Sequence, residues 1–305
     1  MASNKLTVSD LDFDNVKSNL KTFLQSQSEF QDYDFEGSGF AVLLDLLAYN
    51  THYLGFNANM LANEMYLDSA DIRKNIVSLA KMLGYTPTSS KSPLANIDIT
   101  VNNVTGSPAT ITAAKGTVFT TTVDGTAYQF VTNASTTISP TNGVYKFSSL
   151  PIYEGTLVTF KYTVDSTDVD QKFIIPNVNA DATTLKVSVQ NSSSDTTTNT
   201  YTKATGITSL DDTSKVYFLQ ESDEGKFEVY FGDGIIGKSL SDGNIVILEY
   251  IVTNKTAANG ASSFALSGSI GGFSDVSIST VSNAQGGSEP QTKESIRFNA
   301  PLQYS

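Results

Sequence analysis

The sequence predicts an α+β protein in which an N-terminal helical bundle precedes antiparallel, β-rich domains of the sandwich or barrel-like kind. Apolar residues recur at helical spacing as far as Gly84, and from Ile97 onward they alternate with polar residues, as in half-buried strands. Short strand candidates alternate with turns rich in Gly, Pro, Asn and Asp, which favours antiparallel layers. We therefore expect a helical domain over 1–90, a β-rich body over 91–285 and the start of a further C-terminal segment over 286–305.

Composition narrows the possible functions. The 305 residues are enough for two domains, and the formal net charge of −12 argues against a nucleic-acid or anionic-membrane surface. The chain has no cysteine, which excludes disulfides, thiolate metal sites and cysteine nucleophiles. No apolar stretch approaches the ~20 residues that a membrane span needs, and no secretory signal opens the sequence. We expect no nucleic-acid partner and no membrane span.

Three helices are predicted in the first segment. Ser9 and Asp10 offer an N-cap for the first helix, Ser38 for the second and Ser69 for the third, while Gly84 suits the residue after the last turn. The apolar faces of the first and third helices are Phe13, Val16, Leu20, Phe23 and Leu24, and Ile72, Ile76, Leu79, Ala80 and Leu83.

The second helix, predicted from Phe40 to Met65, is apolar over more than half of its circumference. Asn50 and the stretch 55–57 are candidates for a bend or a break in it. Either it is the central, buried helix of the bundle, or part of its surface packs against another chain. On the second interpretation the candidate assembly interface comprises Phe40, Leu43, Leu47, Leu54, Met60, Leu61, Ile72, Ile76 and Leu79.

The β-rich body begins with a strand at Ile97–Val101. Asp124-Gly125 between two alternating runs, 117–123 and 126–131, predicts a hairpin with a primed turn. The polar tract Asn191–Asn199 is interpreted as a mobile hairpin tip. Further strands are expected at 144–147, 156–164, 172–175, 184–189, 200–203, 215–219, 227–231, 245–252 and 276–281, with a loop over 267–273.

Neither a catalytic nor a metal-binding constellation is found in the sequence. His52 is the only histidine, so neither a catalytic triad nor a multi-histidine metal site can form around it, and it is expected to be packed or partly exposed. The acidic set Asp10/Asp12/Asp14 opens like a calcium loop, but Asn15 and Lys21 occupy the positions that need Gly and a bidentate Glu. The other acidic groups are 32/34/36, 165/168/170 and 221/223/224, which are expected to be solvated. We expect no enzyme, cofactor or metal site.

The glycine-rich run Gly232–Ser239 satisfies two nucleotide-binding patterns, G-x-G-x-x-G and G-x-x-x-x-G-K-[ST]. Both bind phosphate only where the loop follows a strand and opens a helix. Lys226–Phe231 alternates like a strand, but the six residues between Lys238 and the next strand, Ile245–Val252, could form fewer than ~2 helical turns. We interpret the glycines as turn positions that need positive φ, and the second strand as antiparallel.

The best local order in the sequence is the stretch FGDGIIGKSLSDGNIVILEYIVTNKTAANGA. It resembles the core of the baseplate J-like proteins of contractile phage tails, and more closely that of the baseplate wedge subunit of large contractile-tailed phages. Longer segments resemble the same family: DFEGSGFAVLLDLLAYNTHYLGFNANMLANEMYLDSADIRKNIVSLAKMLGYTP, KFIIPNVNADATTLKV and SKVYFLQE. The motif residues are Phe231, Gly232, Asp233, Gly234, Gly237, Lys238, Asn259 and Gly260.

The resemblance implies structural work without catalysis or a cofactor. Such subunits lie in the virion, in pairs within each of six wedges around the tail hub. Their N-terminal helices join other wedge proteins, and their C-terminal part links the wedges into a ring that rearranges when the sheath contracts. The implied partners are a second copy of this chain, other wedge proteins and the hub region.

The last residues predict the start of a helix, with Ser288 as its cap, Pro290 in its first turn and Ile296 as its first core residue. The segment GGSEPQTKESIRFNAP resembles the family motif that leads into a further domain. We therefore expect the intact protein to extend beyond Ser305.

Two alternatives from other classes stay open at the level of sequence. A receptor-binding or adhesin-like β module of a phage tail would use loops such as Asn191–Asn199 to contact a glycan. A phosphate-loop nucleotidase would bind ATP through Lys238.

Overall fold

The computed structural model describes residues 12–30, 33–35, 37–168, 171–206, 209–222 and 225–304. They form two compact units. The helical unit comprises the residues up to Tyr85 and those from Lys293, and the β unit comprises Thr86–Thr292. The helices are α1 (Phe13–Gln25), α2 (Phe40–Glu64), α3 (Arg73–Met82) and α4 (Lys293–Asn299). The strands are β1 (Leu94–Val101), β2 (Ile111–Ala113), β3 (Val118–Val123), β4 (Thr126–Val131), β5 (Thr136–Ile138), β6 (Tyr145–Glu154), β7 (Thr156–Thr163), β8 (Phe173–Ile174), β9 (Ala180–Gln190), β10 (Thr198–Lys203), β11 (Val216–Glu221), β12 (Phe227–Phe231), β13 (Ile245–Val252), β14 (Ala265–Ser267) and β15 (Val276–Gln285).

The predicted α+β class is confirmed: helices precede antiparallel sheets that form nearly closed, barrel-like domains. The first barrel has the strand order β14-β3-β4-β6-β1-β15, and the second β7-β13-β9-β10-β11-β12-β8. In the second barrel, the Tyr162 hydroxyl of edge strand β7 donates to the Ile174 carbonyl of the opposite edge strand, β8 (2.6 Å). Each barrel has its own core, a separate cluster of apolar residues contributed by its strands. The predicted domain boundaries at 90 and 285 stay predictions.

Most predicted strands are present, with differences at their ends. The predicted hairpin joins β3 to β4 antiparallel, and both turn residues have positive φ (Asp124 49°, Gly125 81°), as a type I′ turn requires. Residues 191–197 of the polar tract join the antiparallel strands β9 and β10, as expected for a hairpin tip, and Thr198 and Asn199 begin β10. The sequence did not predict β2, β5 and β14, because three residues are too few for a recognisable alternation.

Both caps predicted for the second and third helices are wrong. The N-cap of α2 is Gly39, and the hydroxyl of Ser38 is buried without a hydrogen bond. The Ser69 hydroxyl donates to the carbonyl of Asn63 (2.7 Å), and α3 begins only at Arg73. The Ser9–Asp10 cap lies outside the described residues.

The first amides of the α3 region are capped instead by a carboxylate from the end of α2. Glu64 Oε1 accepts hydrogen bonds from the Asp71 and Ile72 amides (2.8 and 3.2 Å), and its Oε2 accepts one from Asn75 Nδ2 (2.7 Å). Burial alone would raise the pKa of Glu64, but these hydrogen bonds lower it. A capping group on another helix leaves no signal in the local sequence.

The end of α3 agrees with the sequence. Gly84 has φ 70°, its amide donates to the Lys81 carbonyl (2.9 Å), and the Tyr85 amide donates to the Ala80 carbonyl (3.0 Å). These two bonds form a Schellman motif, which satisfies carbonyl groups at the end of the helix.

The C-terminal helix begins later than predicted. Ser288 is not its cap, since Ser288 exchanges two backbone hydrogen bonds with Lys91 (3.0 and 3.1 Å), and α4 starts at Lys293, beyond Pro290. Ile296 is a core residue, as predicted, with no solvent exposure. It packs in a cluster with Ala70, Ile76, Val77, Ala80 and Ala300. The last helix thereby completes the core of the helical unit.

Candidate assembly interface and glycine-rich turn

Helix α2 is continuous over 25 residues, so Asn50 and Gly55 do not break it. Its buried residues are only Leu44, Ala48 and Gly55. The apolar side chains that are more than half exposed are Val42, Leu43, Leu46, Leu47, Tyr49, Tyr53, Leu54, Phe56, Leu61 and Met65. The interpretation of α2 as a buried central helix is therefore wrong for the single chain.

The exposed side chains of α2 follow a coiled-coil spacing. Val42, Leu46, Tyr49, Tyr53 and Phe56 are separated by alternating intervals of four and three residues, which is the seam of a helix that packs against another helix. Tyr53 lies between two aromatic neighbours, with ring centroids 6.0 Å from Tyr49 and 6.4 Å from Phe56. These five side chains, together with the exposed Leu43, Leu47, Leu54 and Leu61 on the adjoining side of the helix, form the apolar stripe of α2.

The sequence-predicted interface residues lie in three kinds of environment. Most are exposed: Leu43, Leu47, Leu54, Met60, Leu61 and Ile72. Phe40 and Leu79 are partly buried, and Phe40 stacks on Phe30 with centroids 5.9 Å apart. Ile76 is fully buried in the core of the helical unit, so it does not form part of the surface. The sequence analysis predicted the side of the stripe that contains Leu47 and Leu54. It missed the side formed by Val42, Leu46, Tyr49, Tyr53 and Phe56, although their spacing of four and three residues is visible in the sequence.

The stripe is almost free of charge. Over its 25 residues α2 carries two acidic side chains, Asp45 and Glu64, and no lysine or arginine. Lys17 of α1 forms an ion pair with Asp45 (2.6 Å), and Glu64 caps the start of the α3 region. His52 is partly buried on α2. Both acidic side chains of α2 therefore interact within the chain, and the exposed apolar side chains can be buried against an apolar partner.

Among the described residues, none of the helices has the length and apolar content required for a membrane span. The same residues contain no group of three His, Cys, Asp or Glu side chains that could hold a metal ion. Several predicted acidic positions lie outside the described residues: Asp10, Asp32, Glu36, Asp170, Asp223 and Glu224.

The glycine-rich turn follows β12 and opens no helix, as predicted. Phe231 anchors it, with edge-on ring contacts to Phe173 and Tyr201 in the second core (5.5 and 5.3 Å). Asp233 Oδ1 accepts the amides of Ile235 and Ile236 (both 2.9 Å). These bonds lower the pKa of the Asp233 carboxyl, because they stabilise its ionised form.

The remaining turn amides are also paired within the chain. The Gly234 amide donates to the Gly237 carbonyl (3.0 Å), the Gly237 amide to the Asp211 carbonyl (2.9 Å) and the Lys238 amide to the Ser214 carbonyl (2.8 Å). A phosphate loop binds through free backbone N–H groups. The backbone amides of residues 234–238 all donate to acceptors within the chain, so they are not free to bind a phosphate group.

Nucleotide binding is therefore expected to be absent. The purified chain titrated with Mg·ATP in a calorimeter should give no binding heat. Lys238→Ala should also give none, and because Lys238 is solvent-exposed its replacement should leave the fold unchanged. Saturable binding that is lost in Lys238→Ala would contradict this expectation.

The glycines of the turn serve two purposes. Gly234 and Gly237 have positive φ (88° and 84°), as predicted. Gly232 does not: it is required because a Cβ there would lie 2.2 Å from the Gly237 carbonyl oxygen. For Gly232 the interpretation through φ is wrong, since the cause is a close approach of two backbone segments.

We expect Gly232→Ala to lower the melting temperature of the β unit, because the Cβ must push backbone apart. Gly206→Ala is the matched control, since a Cβ at Gly206 meets no atom within 4 Å. Equal melting temperatures for the two variants would show that the turn relaxes without cost.

The second part of the motif holds the end of the first barrel. Asn259 Oδ1 accepts the Gly287 amide, and its Nδ2 donates to the Gly287 carbonyl (both 3.0 Å). The Gly260 amide donates to the Ala284 carbonyl of β15 (2.7 Å). The FGDG and NGA residues are thus structural elements, each fixing a turn against a neighbouring strand.

Comparison with known proteins gives the class of protein. Residues 12–85 match a family described as baseplate wedge protein gp6-like, helical domain. Residues 159–261 match bacteriophage baseplate wedge protein gp6, third domain. The chain therefore belongs to the baseplate wedge protein family.

One curated relative matches along almost the whole chain. It is baseplate wedge protein gp6 of Enterobacteria phage T4, 30% identical over 311 aligned residues that cover 93% of this chain and 46% of the relative. The chain thus spans about half the length of the relative. A chain in the solved baseplate of the anti-feeding prophage aligns with 98% of this chain, and the alignment covers 61% of that baseplate chain at 10% identity. The TM-score is 0.36, which is too low to support a structural argument.

Proposed function

We propose that this chain is a structural component of the baseplate wedge of a contractile phage tail, assembled in the host cytoplasm and carried in the virion. Its membership of the baseplate wedge family and its similarity to baseplate wedge protein gp6 support this role. We further propose that the FGDG and NGA segments are a baseplate J-like core, and that the chain is not an enzyme. The self-contained hydrogen bonding of the glycine-rich turn supports the last point.

The observation that carries an assembly role is the uncovered stripe of α2. Soluble monomers rarely expose a contiguous apolar surface of this kind, and such surfaces mark interaction sites. The alternation of four and three residues specifies a helix as the occupant. The stripe lacks a basic residue, so an acidic peptide would find no counter-charge there.

The partners follow from this stripe. We propose that α2 packs against the α2 of a second copy of this chain within one wedge, together with helices of other wedge proteins, close to the hub. Rearrangement of these helices would then be passed to the β unit and on to the sheath. An exposed apolar stripe on each copy supports pairing, because two identical stripes bury each other about a two-fold axis.

The test is electron cryomicroscopy of isolated tails with a tag on this chain. Paired copies within a six-fold baseplate, with the α2 stripe buried, would support the proposal. Density at fibre tips alone would favour the adhesin-like alternative, and absence from the particle would overturn both.

A further inference from the structure

Two buried carboxylates lie at the junction of the two barrels. The chain passes from the first barrel to the second between β6 and β7, at Glu154 and Gly155, and returns after β13, at Thr253 and Asn254. Glu154 has no solvent exposure, and Asp181, on β9 of the second barrel, has 1%. Both are side chains that folded proteins almost never bury unless their charge is compensated.

Glu154 ties the two crossings together. Its Oε2 accepts hydrogen bonds from the Thr253 hydroxyl (2.6 Å) and the Asn254 amide (2.9 Å), and its Oε1 accepts one from Asn254 Nδ2 (2.7 Å). All three donors belong to the returning segment. The Thr253 hydroxyl in turn accepts the Lys255 amide (2.9 Å).

Asp181 makes a second connection between the two barrels. Its Oδ2 accepts the amide of Ser92, just before β1 of the first barrel (2.7 Å). Its Oδ1 accepts the amide and hydroxyl of Thr183 (2.9 and 2.6 Å). The backbone amide of Glu154 donates to the Pro93 carbonyl (2.9 Å), so the segment before β1 contacts the Asp181 carboxylate and the backbone of Glu154.

The backbone at the crossing is also tightly packed. Gly155 has φ 118°, and a Cβ there would lie 2.2 Å from the Val252 carbonyl oxygen, so only glycine lets the two crossings approach this closely. Within the described part of the chain, neither Glu154 nor Asp181 forms an ion pair with a lysine or arginine. Their carboxyl oxygens are satisfied by hydrogen bonds to the chain, and separating the two barrels would break several of these bonds at once.

We infer that Glu154 and Asp181 form a polar clasp that makes the two barrels one rigid body. A hinge needs a segment that changes conformation at low cost, and here each crossing is held by buried, charge-assisted hydrogen bonds. A rearrangement of the subunit therefore moves both barrels together and bends the chain elsewhere. The inference concerns the isolated chain and stands independently of the proposed function.

The distance between the barrels tests the clasp. The chain has no cysteine, so Ala127→Cys on β4 and Lys161→Cys on β7, both exposed, place one spin label on each barrel. Electron–electron double resonance should give a single narrow distance in the otherwise native chain. Glu154→Gln replaces one carboxylate oxygen with an NH₂ group, which would face the N–H and O–H donors of Thr253 and Asn254. We therefore expect the distribution of distances between the two labels to broaden.

The matched control is Glu228→Gln. Glu228 is also buried, but its partner Gln220 lies in the same barrel, so the narrow distance should persist. Should Glu154→Gln fail to fold by circular dichroism, Thr253→Val removes one of the three donors at nearly constant volume and should also broaden the distance. A broad distance in the native chain, or a narrow one in the folded Glu154 or Thr253 variant, would overturn the inference.

Discussion

Leu47→Asp and Leu54→Asp are each expected to block wedge assembly while leaving the isolated chain folded. Leu47 is 53% and Leu54 60% exposed, so either change should alter the free energy of unfolding by no more than about 0.5 kcal/mol. In an assembled stripe the same change places an unpaired carboxylate in an apolar interface, and truncating a central apolar residue alone costs on the order of 2 kcal/mol. Assembly should fail although the monomer is intact.

The measurement has two parts, thermal unfolding of the purified chain and incorporation of the variant into tails produced without the native protein. Val281→Asp is the matched control, because Val281 is an equally exposed apolar residue (57%) on β15. It should assemble normally. Normal incorporation of both leucine variants would refute the assignment of α2 as the assembly surface.

Ile296→Ala is expected to destabilise the helical unit by about 2–5 kcal/mol, as truncation of fully buried isoleucines does. Ile296 has no solvent exposure and packs with Ala70, Ile76 and Ala80. The α4 helix has seven residues, too few to be stable without such packing. Its loss should therefore uncover the core formed with α3.

Phe298→Ala on the same helix provides the comparison. Phe298 is 58% exposed, so its truncation should change stability little in the isolated chain. Helical ellipticity followed during urea unfolding measures both variants. Equal midpoints would mean that α4 contributes nothing to the helical unit.

The local pattern of the sequence was sufficient for much of the fold. The change from helical to alternating periodicity predicted the α+β class, and Asp124-Gly125 predicted its hairpin because only a few residue types tolerate positive φ there. Gly84 likewise predicted the end of α3. The failure of Gly232–Ser239 as a nucleotide loop was visible from the distance to the next strand. Each of these features depends on residues adjacent in the chain.

Features that depend on distant residues required the tertiary structure. The predicted caps Ser38 and Ser69 failed because helix starts can be satisfied from elsewhere, as Glu64 does for α3. Gly232 is required by the approach of Gly237, which φ preferences do not reveal. The sequence analysis left Glu154 between two strand candidates, 144–147 and 156–164, and gave no sign of its burial.

The candidate interface shows the same division. The sequence by itself determined that α2 is a long, almost uncharged apolar helix, since composition and spacing are local properties. It left open whether that surface is buried within the chain, because burial depends on which elements pack against it. The tertiary structure decided this: Leu44 and Ala48 are buried, whereas Leu47 and Leu54 remain exposed. Ile76 is fully buried in the core of the helical unit, in the same cluster as Ile296 of α4.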